Sequence, residues 1–270
     1  LLFVVCIVTL DSYLMTPLHG GFLEATTNPP YVPLLVHRLI GNVSWTALFL
    51  AAFAALKLRR RDDEDERRFQ SWALRLNLRI GLITAVAMPF DGFILLEVLK
   101  STQFGYFDNL VASQRPWLFI IQEALLAVVF IGGNIALILE PGGNRRLNKV
   151  GWLAVAVSVV GMILACMPAA VLSGGTMWLR YAGIAGASGM TLLHAVLRCL
   201  PRRTTVASRP MGVLSGAGSR VIAAVGLASV VVALFMGYIK EQGRGDYSIY
   251  GELRDKDAAG HFQPPPGTYP

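Results

Sequence analysis

Long apolar runs alternate with short polar segments along the whole chain. Seven of these runs approach the roughly 20 residues that one bilayer crossing needs. We predict transmembrane helices at 1–15, 33–57, 72–99, 117–139, 150–172, 179–199 and 220–240. The segments between them are rich in proline, glycine or charge, as loops are. The pattern predicts an all-α, polytopic membrane helical bundle of about seven transmembrane helices over 1–240, followed by a polar tail at 241–270. The first run is short and starts without Met, so we expect residues before Leu1 to be missing.

Composition supports membrane insertion and excludes several other classes. Hydrophobic residues make up 54% of the chain and charged residues 15%, against about 25% charged residues in soluble domains. The three cysteines form no CxxC or CxxCH pattern, which excludes a zinc ribbon and covalent c-type haem in this chain. The net charge of +7 is expected from cytoplasmic loops, and we expect no nucleic-acid partner.

Lysine and arginine predict the orientation. The segments 57–71, 141–149 and 198–220 hold 6, 3 and 5 of them, whereas the alternate segments and the tail hold 7 in all. By the positive-inside rule the first set is cytoplasmic. We therefore expect a multi-pass protein of the bacterial inner membrane. Its C-terminal tail, which ends in PPPGTYP and looks extended or disordered, is expected on the outer side.

His37 is a candidate ligand, because ionisable side chains inside a span are costly and usually functional. It lies near the outer end of the second span, followed at helical spacing by Gly41, Ser44 and Trp45. The small Gly41 leaves room for a flat macrocycle, which favours axial haem ligation through a neutral imidazole nitrogen. The alternative is an interfacial His bonded to a neighbouring helix.

His194 lies toward the inner end of the sixth span and is the second candidate histidine. Gly183, Gly186 and Gly189 precede it at every third position. Such a glycine face is typical of close helix packing, and a second haem site or a quinone contact is the functional alternative. His19 and His261 lie in loops and are interpreted as surface residues.

Carboxylates in two further spans are also candidates. Gln122 and Glu123 lie just inside the fourth span, where Glu123 could relay protons, face a haem edge, or pair with Arg115 or another helix. In the third span Asp91 and Glu97 follow Pro89, which we expect to kink the helix. A kink beside carboxylates favours a polar cavity.

The end of the last span carries the most specific pattern. FMGYIKEQGRGDYSIYGELR at 235–254 resembles a motif of subunit I of cytochrome bd-type quinol oxidases, in which a span ends in Gly-Trp and is followed by Glu, Gly-Arg, Gln-Pro-Trp, Tyr-Gly and Leu-Arg. Gly237-Tyr238 stands for Gly-Trp, and Glu241, Gly243-Arg244, Tyr250-Gly251 and Leu253-Arg254 keep their places. Gly245-Asp246-Tyr247 departs from Gln-Pro-Trp.

A second stretch resembles the same family. SYLMTP at 12–17 is similar to its Trp-Met-Gln-Thr-Pro, and NPPYVPLLVHR at 28–38 is similar to the Asn-Pro…Phe-Val-His that opens the next span. In this alignment His37 matches the low-spin b-haem ligand. In a rival register, spans two to five match the family's first four helices and His37 matches the haem-ligating His of the first. Both registers make His37 an axial ligand.

The resemblance implies further roles and also shows departures. It implies that Glu241 ligates a high-spin b haem and that Arg244 pairs with a propionate. Gln122 stands where the low-spin haem of the family has its Met ligand, and 100–115 is too short for the family's quinol-binding loop.

The resemblance implies a b-haem-binding membrane subunit of a respiratory electron-transfer complex. Whether that complex is a quinol oxidoreductase is left open at this point. It implies one or two haems b, a quinone as a further candidate ligand, and other membrane subunits with c-type cytochromes or other redox subunits as partners. The alternative is a haem-free structural subunit that docks other cytochrome subunits.

Overall fold

The computed structural model describes residues 2–18, 20–59, 63–111, 116–140, 145–167, 171, 176, 178–200 and 216–254. Of these residues 87% are helical. The helices are α1 (Leu2–Met15), α2 (Phe22–Thr26), α3 (Tyr31–Leu58), α4 (Glu64–Thr102), α5 (Phe104–Val111), α6 (Pro116–Leu139), α7 (Arg145–Cys166), α8 (Trp178–Cys199) and α9 (Gly216–Gly243). Two short antiparallel strands follow, β1 (Tyr247–Ile249) and β2 (Leu253–Arg254), with Tyr247 opposite Arg254. The predicted all-α class is confirmed.

Five helices within the described part of the chain are long and apolar enough to cross a membrane: α3, α4, α6, α7 and α9. The helix α1 has only 14 residues. The helix α8 is long enough, but its arginines, glycines and hydroxyl residues dilute its apolar character. The membrane-embedded helical architecture is therefore supported by five helices, and crossings by α1 and α8 stay predictions.

The sequence predicted a loop for the charge run at 58–71, but most of this run belongs to α4. The helix α4 begins at Glu64 and carries Glu64, Asp65 and Glu66 in its first turn, where carboxylates stabilise the positive end of the helix dipole. Arg68 then pairs with Glu64 one turn back. The helix continues through Pro89 to Thr102, so proline does not end it.

Two segments outside the predicted spans are also more ordered than expected. The connection at 100–115 contains the helix α5. The first part of the tail forms the β1–β2 hairpin, in which Gly245 and Gly251 take positive φ angles of 62° and 77° that glycine adopts without strain. Residues 247–249 and 253–254 are therefore extended, as expected, and they are ordered by their pairing with each other. The PPPGTYP end lies outside the described residues.

The chain forms two compact units. The first comprises Leu1–Leu39, Asp91–Phe119 and Met236–Pro270, and its core contains Val8, Met15, Leu34, Leu99 and Tyr106. The second comprises Ile40–Phe90 and Ile120–Phe235. Its larger core is built from α3, α4, α6, α8 and α9 around Leu48, Leu78, Leu82, Leu137 and Ile222. The predicted boundary at residue 240 concerns the membrane surface and stays a prediction.

Glycines bring α7 and α8 together in the second unit. A Cβ atom built on Gly161 would lie 2.3 Å from the carbonyl oxygen of Gly183, and one on Gly183 would lie 2.4 Å from that of Gly161. Only hydrogen atoms fit between the two backbones here. The predicted role of the α8 glycine face in close packing is confirmed at Gly183, while Gly186 makes an ordinary contact with Val157.

Candidate functional site

His37 is held by a carboxylate in the first unit. Its Nδ1 atom lies 3.0 Å from Asp91 Oδ2, and the side chains are 15% and 11% exposed. A carboxylate oxygen can only accept, so Nδ1 carries the proton and Nε2 retains its lone pair. Histidines that bind metals are oriented by such an Nδ1–H bond. The geometry leaves Nε2 as the nitrogen that can ligate iron.

A second carboxylate, Asp11, joins three helices of the first unit. Arg38 Nη2 donates to Asp11 Oδ2 at 2.7 Å, and Lys240 Nζ donates to Oδ1 at 2.6 Å. Asp11 is buried, and a buried carboxylate needs such partners to remain charged. This pairing places Arg38, the neighbour of His37, and Lys240, the neighbour of Glu241, on one carboxylate.

Glu241 and Arg244, three residues apart near the end of α9, form an ion pair with each other. Arg244 Nη2 contacts Glu241 Oε2 directly, and Lys240 Nζ lies 3.5 Å from Glu241 Oε1. Arg244 also donates to the carbonyl oxygen of Ser248. Its buried Nε atom has no acceptor among the described residues. Arg244 therefore keeps one donor for another group, while 45% of the Glu241 side chain is exposed.

Tyrosines close this side of the first unit. The hydroxyl of Tyr106 donates to the carbonyl oxygen of Lys240 at 2.7 Å, and the ring meets Tyr250 edge-on at 5.7 Å. Burial raises the pKa of Tyr106 above its ordinary value, so its hydroxyl stays a donor at physiological pH. The backbone N–H of Tyr250 donates to Leu14, which ties the hairpin to α1.

His194 lies in a different environment, inside the second unit. It is fully buried, its Nδ1 lies 2.9 Å from Asn134 Oδ1, and Arg198 Nε lies 3.4 Å from its Nε2. Asn134 in turn donates to the Thr191 hydroxyl at 2.7 Å. Both ring nitrogens are engaged within the protein. This arrangement favours the packing interpretation of His194 over haem ligation, since a ligand would have to displace Arg198.

Gln122 and Glu123 are buried in α6, at 5% and 4% exposure. Gln122 Oε1 and Glu123 Oε2 have no hydrogen-bond partner among the described residues. Arg180 of α8 acts electrostatically on Glu123, and the pairing of Glu123 with another helix stays a prediction. The alternative partner, Arg115, lies outside the described residues. An amide oxygen and a carboxylate oxygen are therefore left to accept hydrogen bonds from a ligand or water.

The surroundings of two glycines near the candidate ligands differ. A Cβ on Gly237 would meet no described atom within 4 Å, so this glycine does leave open space. A Cβ on Gly41 would lie 3.1 Å from Met88 Cε, and the Ser44 hydroxyl donates to the carbonyl oxygen of Gly81. The space beside Gly41 is thus taken by Met88 and not left for a macrocycle.

The six predicted site residues fall into two groups. His37, Glu241 and Arg244 belong to the first unit, and Gln122, Glu123 and His194 belong to the second. Sequence reasoning missed Asp11 and Asn134. Each is a polar residue within an apolar run, which is the signal that could have found it.

The candidate ligand His37 and the cations Arg38, Lys240 and Arg244 all belong to the first unit. No group of three or more His, Cys, Asp or Glu side chains in the described residues could hold a metal ion alone. An imidazole and cations of these types could hold a haem, which brings its own four nitrogens and two carboxylates. No family model, no curated protein and no solved structure matches the chain.

Proposed function

We propose that this chain is a membrane-integral, b-haem-binding subunit of a respiratory electron-transfer complex, like subunit I of cytochrome bd-type quinol oxidases. The observation that carries the proposal is the His37–Asp91 pair, in which Nδ1–H donates to a carboxylate at 3.0 Å. That bond fixes the tautomer that leaves Nε2 available, as in metal-bound histidines. When bound, the haem supplies reversible one-electron transfer.

The charges of the first unit support the same proposal. Arg244 has a buried Nε without an acceptor in the described residues, and a guanidinium suits a propionate. Glu241 is the candidate ligand of a second, high-spin haem. Its pairs with Lys240 and Arg244 leave further carboxylate lone pairs, since each oxygen can accept more than one bond.

The remaining candidates take supporting roles in the proposal. Gln122 and Glu123, with unpartnered oxygens inside α6, would accept hydrogen bonds from a cofactor edge or from a quinone. His194 would hold the helices together. The segment 100–115 is too short for the family's quinol-binding loop, so in this proposal another membrane subunit would bind the quinol.

Seven crossings complete the proposed arrangement in a bacterial inner membrane. The helices α1 and α8 would cross beside the five long apolar helices. The basic segments 57–71, 141–149 and 198–220 would face the cytoplasm. The tail at 241–270 would face outward, toward a c-type cytochrome or another redox subunit. The distribution of lysine and arginine supports this orientation.

The proposal is tested by optical spectra of the purified complex. A reduced-minus-oxidised spectrum and a pyridine haemochrome assay should show b-type haem, and His37→Ala should remove one b-haem signal. His194→Ala is the matched control, because both of its ring nitrogens are engaged in the protein. A flat spectrum of the wild-type complex, or an unchanged spectrum in a stably inserted His37→Ala variant, would overturn the proposal.

A haem-free structural subunit is the second candidate function. It is favoured by the direct pairing of Glu241 with Arg244, since two residues that neutralise each other need no cofactor. It is also favoured by Gln122 at the position of an expected Met ligand. Stable assembly of the complex with no b-type bands would establish it.

A further inference from the structure

Two arginines of α4 share one carboxylate in the second unit. Arg79 Nη2 donates to Glu140 Oε1 at 2.8 Å, and Arg75 Nε lies 3.8 Å from the same oxygen. The Glu140 side chain is only 5% exposed. We call these two arginines the Arg75–Arg79 pair. Because the single Glu140 carboxylate neutralises only one guanidinium, the pair keeps one excess positive charge.

The other contacts of the Arg75–Arg79 pair do not neutralise that charge. Arg75 Nη2 donates to the hydroxyl of Ser71 at 2.9 Å, which is an uncharged partner. Arg79 Nε is buried and has no acceptor among the residues that the structure describes. A guanidinium carries five N–H donors, and a buried donor without an acceptor is destabilising. The pair therefore has both charge and donors left for an anionic acceptor.

The Arg75–Arg79 pair borders an apolar surface of the type that faces lipid. Trp72, Leu76 and Ile80 follow one another at four-residue spacing on α4 and are 58%, 40% and 38% exposed. Arg75 lies three residues after Trp72, and Arg79 three after Leu76, so each guanidinium starts from a position next to this stripe. Exposed tryptophan marks the boundary between lipid and water, and arginine side chains extend toward that boundary from within a span.

We propose that the Arg75–Arg79 pair binds the phosphate of an anionic phospholipid, with the lipid chains lying along the Trp72–Leu76–Ile80 stripe. Arginine matches phosphate oxygens with two parallel N–H bonds. Both side chains can be reached, since Arg75 is 33% and Arg79 28% exposed. The single excess charge prefers a lipid of net negative charge over a zwitterionic one, whose own cation would repel it. The proposal requires membrane insertion but not haem.

The experiment compares lipids that differ only in the headgroup. The purified full-length protein in neutral detergent is titrated with phosphatidylglycerol or phosphatidylcholine of identical chains, and the thermal unfolding midpoint is recorded. Phosphatidylglycerol should raise the midpoint at lower concentration than phosphatidylcholine. Arg75→Gln should weaken this apparent affinity by about fivefold, and it leaves the closer Arg79–Glu140 contact in place. Arg68→Gln is the matched control, because Arg68 is on the same helix and 61% exposed.

Three results would overturn the proposal. Equal shifts with both lipids would remove the charge preference, and an unchanged affinity of Arg75→Gln would remove the assigned residue. A shift of the same size with inorganic phosphate alone would replace the lipid with a free anion. If Arg75→Gln does not fold, native mass spectrometry of the wild-type protein still decides, since the proposal expects phosphatidylglycerol to be retained and phosphatidylcholine to be lost.

Discussion

His37 and Asp91 lie 54 residues apart and meet through Nδ1 and Oδ2 at 3.0 Å. The pair links the first turns of α3 to the part of α4 beyond Pro89. Asp91 therefore accepts a hydrogen bond from His37 and orients its imidazole ring. The sequence had indicated only a polar cavity near the carboxylates that follow Pro89.

Asp91→Asn should therefore lower haem content without removing the ligand itself. An amide can either accept or donate, so it no longer enforces the tautomer with a free Nε2. Replacing such a partner typically costs about 10- to 100-fold in metal affinity. The haem-to-protein ratio is measured by pyridine haemochrome assay. Glu97→Gln, which removes a half-exposed carboxylate of the same helix, should retain the wild-type ratio, and an equal loss in both variants would contradict the prediction.

Arg244→Ala should reduce haem retention more than Lys240→Ala does. Arg244 has the buried unpartnered Nε, whereas Lys240 is committed to Asp11. Glu241→Gln should alter a high-spin b-haem feature, since an amide oxygen is a weaker ligand than a carboxylate. The optical spectra of the three variants are compared at equal protein concentration. Equal haem retention in Arg244→Ala and Lys240→Ala would show that Arg244 does not hold a propionate.

Gly161→Ala should destabilise the second unit by about 1–3 kcal/mol, because the new Cβ would collide with the backbone of Gly183. The helices can relieve the clash only by separating. The change is measured as a lower thermal unfolding midpoint in detergent. Gly189→Ala is the control, since its Cβ meets no described atom within 4 Å and alanine is the better helix former. A midpoint for Gly161→Ala as high as that of the control would contradict this contact.

Asn134→Leu should lower stability and leave any haem spectrum unchanged. The substitution removes the acceptor of His194 Nδ1–H and the donor to Thr191, at about 1–3 kcal/mol for each buried group left without a partner. Asn77→Leu makes the same exchange at a residue whose side chain bonds to its own helix, and it should be milder. Loss of a haem band in a stable Asn134→Leu variant would instead assign His194 to a haem site.

The charged start of α4 should face the cytoplasm and the tail should face outward. Protease added to intact spheroplasts should then cut within 255–270 unless a partner covers it. Reporter fusions after residue 254 give an independent readout of the same end. A cytoplasmic reporter signal there would contradict the outward position of the tail. With the start of α4 in the cytoplasm, it would also mean that an even number of helices cross the membrane between the two ends.

The sequence by itself determined where helices form and where close packing occurs. Apolar runs separated by proline, glycine and charge predicted where each long helix lies, because burial in lipid depends on the composition of a contiguous segment. The helices α4 and α7 begin earlier than predicted, at Glu64 and Arg145, because charged residues extend both of them beyond their apolar parts. The glycine face of α8 predicted the contact at Gly183 for the same local reason.

Only the tertiary structure decided which polar groups meet. Nothing in the local pattern shows that Asp11 pairs with Arg38 of α3 and Lys240 of α9. Nor does it show that both ring nitrogens of His194 have partners among the described residues, whereas only Nδ1 of His37 does. The β1–β2 hairpin was also missed, because its strands are only three and two residues long. A hydrogen bond from the backbone N–H of Tyr250 to the carbonyl oxygen of Leu14 ties the hairpin to α1. Such pairings depend on how distant helices pack, and the energy of a polar contact is set by the geometry and burial that packing creates.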